Sequence, residues 1–177
     1  MPAMGDARGE IDRYTPRRDP LTESVEIRCA SRLLLIDDRG RVLLFKQSIN
    51  GVAFWCTPGG GVEPGETWEE TARREAAEEL GAKQVELTQL WSDHSDRNFG
   101  GKTVCQTETF FLVTRHAGLL GAEVEELHER EGIVEVRWWS LTSTETTAEL
   151  LYPADLADKL RRHLPSGAVT RAARTLR

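Results

Sequence analysis

Between Gly59 and Gly81 the chain dictates its own local structure. Gly59-Gly60-Gly61-Val62-Glu63-Pro64-Gly65-Glu66 is too rich in glycine and proline to be helix, and it feeds straight into Thr67-Trp68-Glu69-Glu70. That tetrapeptide is a capping box, with Thr67 as N-cap and Glu70 three residues on. The helix it opens is predicted to run to Leu80 and to stop at Gly81, a residue type favoured just past a helix end. At about 100° per residue, with Glu75 set to zero, Glu79 falls near 40° and Glu78 near 300°, whereas Ala72, Ala76 and Leu80 fall between about 60° and 140°. A narrow stripe of small apolar side chains therefore runs beside an acidic face. Such a helix can lie close against a sheet, and with the strands and terminal helices predicted elsewhere it implies an α/β layered domain.

The acidic face is built against local preference. Glutamates at i, i+3 and i+4 repel by about 0.2–0.5 kcal/mol per pair. Glu78 and Glu79 also stand in the last turn, where the helix dipole disfavours negative charge by about 0.3–1 kcal/mol. Arg74 relieves only part of this, through an i, i+4 contact with Glu78. Clustered carboxylates of this kind suit a hard divalent cation, which prefers oxygen ligands; a solvated acidic face is the alternative. The glycine run favours the cation, because a glycine-rich turn at a helix N-terminus exposes backbone amides to an anion and carbonyls to a metal. It is not a P-loop, since no Gly-Lys-Ser/Thr follows, nor a dinucleotide fingerprint, since Pro64 stands where the third glycine would be.

The rest of the chain supplies strands. Residues 25–36 read as a strand, Asp37-Asp38-Arg39-Gly40 as a turn, and 41–46 as its returning hairpin partner. Short strands are predicted over 52–57, 84–91 and 132–139, and a long one over 103–114, turning back around Phe99-Gly100-Gly101. Leu156, Leu160 and Leu164, at spacing four, mark a C-terminal helix. A length of 177 residues corresponds to roughly one domain. We read 1–22 as a flexible lead-in, 23–164 as the domain, and 165–177 as a basic, frayed tail.

Charge narrows the partners. The 23 basic and 29 acidic side chains leave −6, which argues against bulk nucleic-acid binding. The charge is uneven: residues 66–79 carry −4 and residues 121–135 carry −5, so the remainder carries +3. No apolar run approaches the roughly 18 residues of a membrane helix, and the N-terminus lacks the apolar core of a signal peptide. Cys29, Cys56 and Cys105 are odd in number and form no C-x-x-C pattern, which fits buried thiols in a reducing, cytoplasmic setting.

Gly60, Glu66, Arg74, Glu75, Ala76, Glu78, Glu79, Gly81 and Ala82 together resemble the signature of the Nudix hydrolases: Gly, five residues, Glu, seven residues, Arg-Glu, an aliphatic, any residue, Glu-Glu, any residue, Gly, an aliphatic. Ala76 and Ala82 are smaller than the usual aliphatics, a departure that touches packing alone. Trp55 with Thr57-Pro58-Gly59, the strands at 28–46, and Val136-Arg137-Trp138-Trp139 extend the likeness to roughly residues 25–164. The resemblance implies an α/β/α sandwich around a mixed β-sheet and hydrolysis of a nucleoside diphosphate linked to another group, on a nucleoside triphosphate or nucleotide sugar. It also implies Mg²⁺ or Mn²⁺ held by Glu75, Glu78 and Glu79, with a carbonyl of Gly59 or Gly60. Glu75 is the candidate to polarise water, and Glu66 is expected to pair with Arg74 and hold the cluster still.

By the same likeness a further glutamate comes from the acidic loop before the last strand, Glu131 first, then Glu129 and Glu126. Trp55, Phe99 and Phe110 are candidates to stack on a base, with core packing as the alternative, and Trp91 is a further one. His94 reads as a polar loop histidine. The region after the box lacks the proline of ADP-ribose enzymes and the tyrosine of dinucleotide enzymes. A non-catalytic, nucleotide-binding or regulatory Nudix-fold protein is the alternative function, although such proteins usually lose box glutamates. A small phosphorylated substrate is the expected partner, and a homodimer stays open.

Overall fold

The computed structural model describes residues 25–49, 51–82, 84–99, 102–117 and 132–164. The lead-in 1–22 and the tail 165–177 lie outside them. In chain order the elements are β1 (Val25–Leu34), β2 (Val42–Ile49), β3 (Val52–Cys56), β4 (Gly59–Gly61), α1 (Trp68–Leu80), β5 (Gln84–Phe99), β6 (Lys102–Ala117), β7 (Ile133–Trp139), α2 (Leu141–Thr146), β8 (Leu151–Tyr152) and α3 (Leu156–His163).

The apolar run Leu33–Ile36 is continuous because that stretch is covered on both sides. Leu33 and Leu35 pack with Leu43, Phe45 and the α1 residues Ala72, Ala76 and Leu80, whereas Leu34 and Ile36 pack with Val42, Leu44 and the α3 residues Leu156 and Leu160. Complete burial of such a side chain stabilises by about 1.5–3 kcal/mol. Two mixed four-stranded sheets result, ordered β4-β1-β6-β5 and β7-β2-β3-β8. Strands β1 and β6 run parallel, as do β3 and β8; the other pairs are antiparallel. The chain is thus α/β, with α1 on one apolar cluster and α3 on the other. Among the described residues no helix is long and apolar enough to cross a membrane.

The expected hairpin of 25–36 with 41–46 is corrected. The turn forms, with Asp37 accepting from the Arg39 and Arg41 amides, but backbone pairing between the strands shrinks to an Ile36–Val42 bridge flanked by Asp37-to-Arg41 and Leu43-to-Leu35 hydrogen bonds. Both edges of β1 are already taken by β4 and β6, and both edges of β2 by β3 and β7, so the two strands diverge into different sheets. The predicted strands 84–91 and 103–114 extend to Gln84–Phe99 and Lys102–Ala117, paired from Phe99 opposite Lys102. Sequence reading gave the glycines no strand, yet β4 pairs Gly59, Gly60 and Gly61 with Arg32, Ser31 and Ala30.

Candidate active site

The capping box fixes where α1 begins. The Glu70 amide donates to the Thr67 hydroxyl at 3.2 Å, and the Thr67 amide donates to the Glu70 carboxylate at 2.8 Å. Ser31 of β1 donates to the Trp68 carbonyl at 2.7 Å, tying the first turn to the sheet. Ala72, Ala76 and Leu80 are wholly buried, so the helix backbone sits close to β1 and β4. That closeness presses the adjoining acidic face inward: Glu75 keeps 7% of its surface and Glu79 4%, whereas the Glu78 side chain keeps 55%.

Two glycines make room for those carboxylates. A Cβ on Gly60 would overlap the Glu75 carboxylate, and a Cβ on Gly59 would overlap the Ser31 carbonyl; Gly59 also has φ +125°, outside the comfortable range of any other residue. The Gly59 amide donates to Glu79 Oε2 at 2.5 Å. Side chains thus meet backbone across a gap that a methyl group would fill.

Arg74 links the acids. It grips Glu66 in a fork, Nε to Oε1 at 2.8 Å and Nη2 to Oε2 at 3.1 Å, and donates from Nη1 to Glu75 at 2.7 Å and to Glu78 at 3.0 Å. Its Nη2 also reaches the Gly61 carbonyl at 2.9 Å, so loop and helix are joined twice. Glu66 accepts in addition from the Glu63 amide and the Thr71 hydroxyl. The Arg74 guanidinium, aided by these donors, holds the Glu66 carboxyl down to about 2. Arg74 in turn is raised above the ordinary guanidinium value, through Glu66 first.

Beneath the glycines lies a pair that sequence reading missed. Arg32 of β1 donates from Nε to Glu108 of β6 at 2.7 Å and from Nη1 to the Gly59 carbonyl at 3.0 Å. Both side chains are largely buried, 19% and 12% exposed. The available signal was a charge inside an otherwise apolar strand, Ser-Arg-Leu-Leu-Leu-Ile, since such a charge is buried only with a partner.

The structure thus gathers Glu66, Arg74, Glu75, Glu78, Glu79, Gly59 and Gly60 at one corner. It leaves out two of the aromatic candidates, which are corrected to core residues. Trp55 is fully buried, edge-on to Trp139 with ring centroids 5.0 Å apart, under Arg137, and donates its indole N–H to Glu149 at 2.9 Å. Phe110 is 1% exposed and stacks on Trp91 at 4.6 Å, so neither ring has a free face for a base. The Phe99 side chain and Glu126, Glu129 and Glu131 lie outside the described residues. His94, expected in a loop, lies in β5 and pairs with Thr107 at 2.9 Å.

Among the described residues no three acidic, histidine or cysteine side chains already converge as a metal shell. Arg74 engages Glu75 and Glu78, and Glu79 is turned to the Gly59 amide. The donors themselves are carboxylate and carbonyl oxygens around a cradle that a Cβ would fill, the chemistry that hard divalent cations select.

Comparison with known proteins gives the NUDIX domain, whose family model matches residues 27–160. Nucleoside triphosphatase NudI of Enterobacter sp. (strain 638) is 36% identical over 84 residues, 45% of this chain and 59% of that protein. Nudix hydrolase 3 of Caenorhabditis elegans is 36% identical over 94 residues, 51% of this chain and 36% of that protein. The match therefore spans less than two thirds of the length of these relatives. The crystal structure of a MutT NUDIX hydrolase from Burkholderia pseudomallei has the same fold, with TM-score 0.59 at 22% identity over 75% of this chain and 95% of that one.

Proposed function

We propose that this chain, which belongs to the NUDIX domain family, is a metal-dependent pyrophosphohydrolase acting on a nucleoside diphosphate linked to a further group. Nucleoside triphosphates and nucleotide sugars are the substrate classes, and a reducing cytoplasm is the setting. The observation that carries this reading is the cluster itself: one arginine bonded to three glutamates, with a fourth, Glu79, on the glycine backbone beside it. A nucleoside triphosphatase among the partial relatives supports the substrate class.

Glu75, Glu78 and Glu79, with a carbonyl of Gly59 or Gly60 and with Glu131, would hold Mg²⁺ or Mn²⁺. The chemistry such an ion supplies when bound is neutralisation of phosphate charge and activation of water. In the hydrolysis a water oxygen forms a new bond to phosphorus, the bridging P–O bond breaks, and the proton of the water passes to a carboxylate. Glu75 is the group for that proton, because the glycine turn and Arg74 hold its carboxylate in a mostly dry position. Arg74 and Glu66 are positioning residues: the fork keeps acids that would repel each other at fixed spacing. Removal of Arg74 damages activity without removing a cation ligand.

The test is a panel of NTPs, dNTPs, nucleotide sugars, ADP-ribose and dinucleotides assayed with Mg²⁺ and with Mn²⁺. We expect hydrolysis of at least one class, and a loss of at least about 10²-fold in kcat for a folded Glu79→Gln variant. Unchanged turnover in that variant contradicts the site assignment. Nucleotide binding without turnover by the wild-type chain supports the regulatory alternative instead.

A further inference from the structure

Arg32 and Glu108 are 76 positions apart, and the parallel pairing of β1 with β6 brings them together. The register sets Arg32 opposite Phe110 and Ala30 opposite Glu108, so the two charged residues share one sheet face as diagonal neighbours. A largely buried ion pair is a weak stabilising device: its desolvation cost offsets most of its attraction, and an apolar pair of the same volume is often as stable or more so. What an apolar pair lacks is a donor for a backbone carbonyl, and that is where the second arm of Arg32 goes.

The network runs in one line. Glu108 accepts from Arg32 Nε at 2.7 Å, Arg32 Nη1 donates to the Gly59 carbonyl at 3.0 Å, and the Gly59 amide donates to Glu79 at 2.5 Å. The Pro58 carbonyl, one peptide earlier, accepts from the Leu33 amide at 2.8 Å. Gly59 is the one residue in this line with backbone freedom to spare, and both of its polar groups are held from outside.

We infer that Arg32, braced by Glu108, is a positioning residue that orients the Gly59 carbonyl and the Glu79 carboxylate for divalent-cation binding. The inference rests on the metal-dependent reading above. Glu108 fixes the plane of the guanidinium, and the guanidinium fixes the peptide plane that follows Gly59. Without this brace the carbonyl is free to turn, and Glu79 loses the fixed amide against which its carboxylate is set. Lysine does not replace Arg32, because a compact ammonium lacks the rigid planar array whose Nε and Nη1 reach two separate acceptors.

Two variants test this. Arg32→Lys keeps the charge and removes the fork; Arg32→Met combined with Glu108→Met removes the pair and keeps the volume, so that folding is preserved. Mn²⁺ affinity is measured by calorimetry without nucleotide, and the Gly59 amide resonance is followed by NMR in the metal-free proteins. Both variants are expected to bind Mn²⁺ at least about 10-fold more weakly, the usual effect of losing a partner that orients a ligand. Both should also displace the Gly59 resonance while retaining the wild-type circular dichroism. Wild-type Mn²⁺ affinity in either folded variant overturns the inference, as does a wild-type chain that takes up no Mn²⁺. A chain that binds Mn²⁺ and hydrolyses no nucleotide overturns the proposed function alone.

Discussion

Glu66 accepts twice from Arg74, once from the Glu63 amide and once from the Thr71 hydroxyl. Arg74, the strongest of these influences, lowers the pKa to about 2 in the folded chain, against about 4.3 for an unfolded glutamate. The folded value is the lower one, so Glu66 contributes stability above the unfolded pKa and loses that contribution as the pH falls toward 2. Urea midpoints followed from about pH 6 down to about pH 2 should therefore fall less steeply for Glu66→Gln than for the wild-type chain; parallel slopes contradict the tether. The Glu66–Arg74 pair was legible through the resemblance to the Nudix signature, in which both residues hold fixed positions. Arg32 and Glu108 were not, because their meeting depends on which strand β1 chooses as a neighbour. For Trp55 and Phe110 both stacking and core packing stood open for the same reason: an aromatic side chain does not reveal in sequence which face of its strand is covered.

At the scale of elements, α1 was legible from end to end because its signals are local: a capping box before it and a glycine after it. Its small-residue stripe is what lets it lie against β1 and β4. Ala76→Leu would force extra methyl groups into a fully buried position and should destabilise by about 1–3 kcal/mol. Because the helix would lift from the glycine strand, kcat should fall more than thermal stability alone explains; a melting shift with unchanged kcat would show that the closeness has no catalytic role. Strand β4 was not legible, since glycine has little strand preference of its own, and at Gly59 a Cβ would overlap the Ser31 carbonyl. The hairpin expectation for β1 and β2 failed on competition: neighbouring strands usually pair, yet four other strands offered better edges.

For the whole molecule, the near-continuous apolar runs at 33–36 and 42–45 are covered on both sides and lead into strands of two different sheets. The two apolar clusters share β1 and β2 residue by residue, odd positions of β1 on one side and even positions on the other. Leu80→Ala and Leu160→Ala, in opposite clusters, should each cost about 2–5 kcal/mol and move one common transition. Tryptophan fluorescence and far-ultraviolet circular dichroism should trace the same urea curve in both variants. Two separated transitions would mean that the clusters fold independently. The uneven charge is partly explained at this scale too: Glu66, Glu75 and Glu78 gather around Arg74, and on the proposed function this surface receives a phosphate together with its cation.

The glycine strand also bears on how substrate range can change. Gly59, Gly60 and Gly61 are paired rung by rung with β1, which anchors the turn beside the glutamates to the sheet. A side chain at Gly59 would run into the Ser31 backbone, and one at Gly60 would push the Glu75 carboxylate out of place. On the proposed function, discrimination between one nucleotide and another belongs to other segments. A lineage could exchange those while keeping this corner fixed, reusing one hydrolytic fixture for many leaving groups.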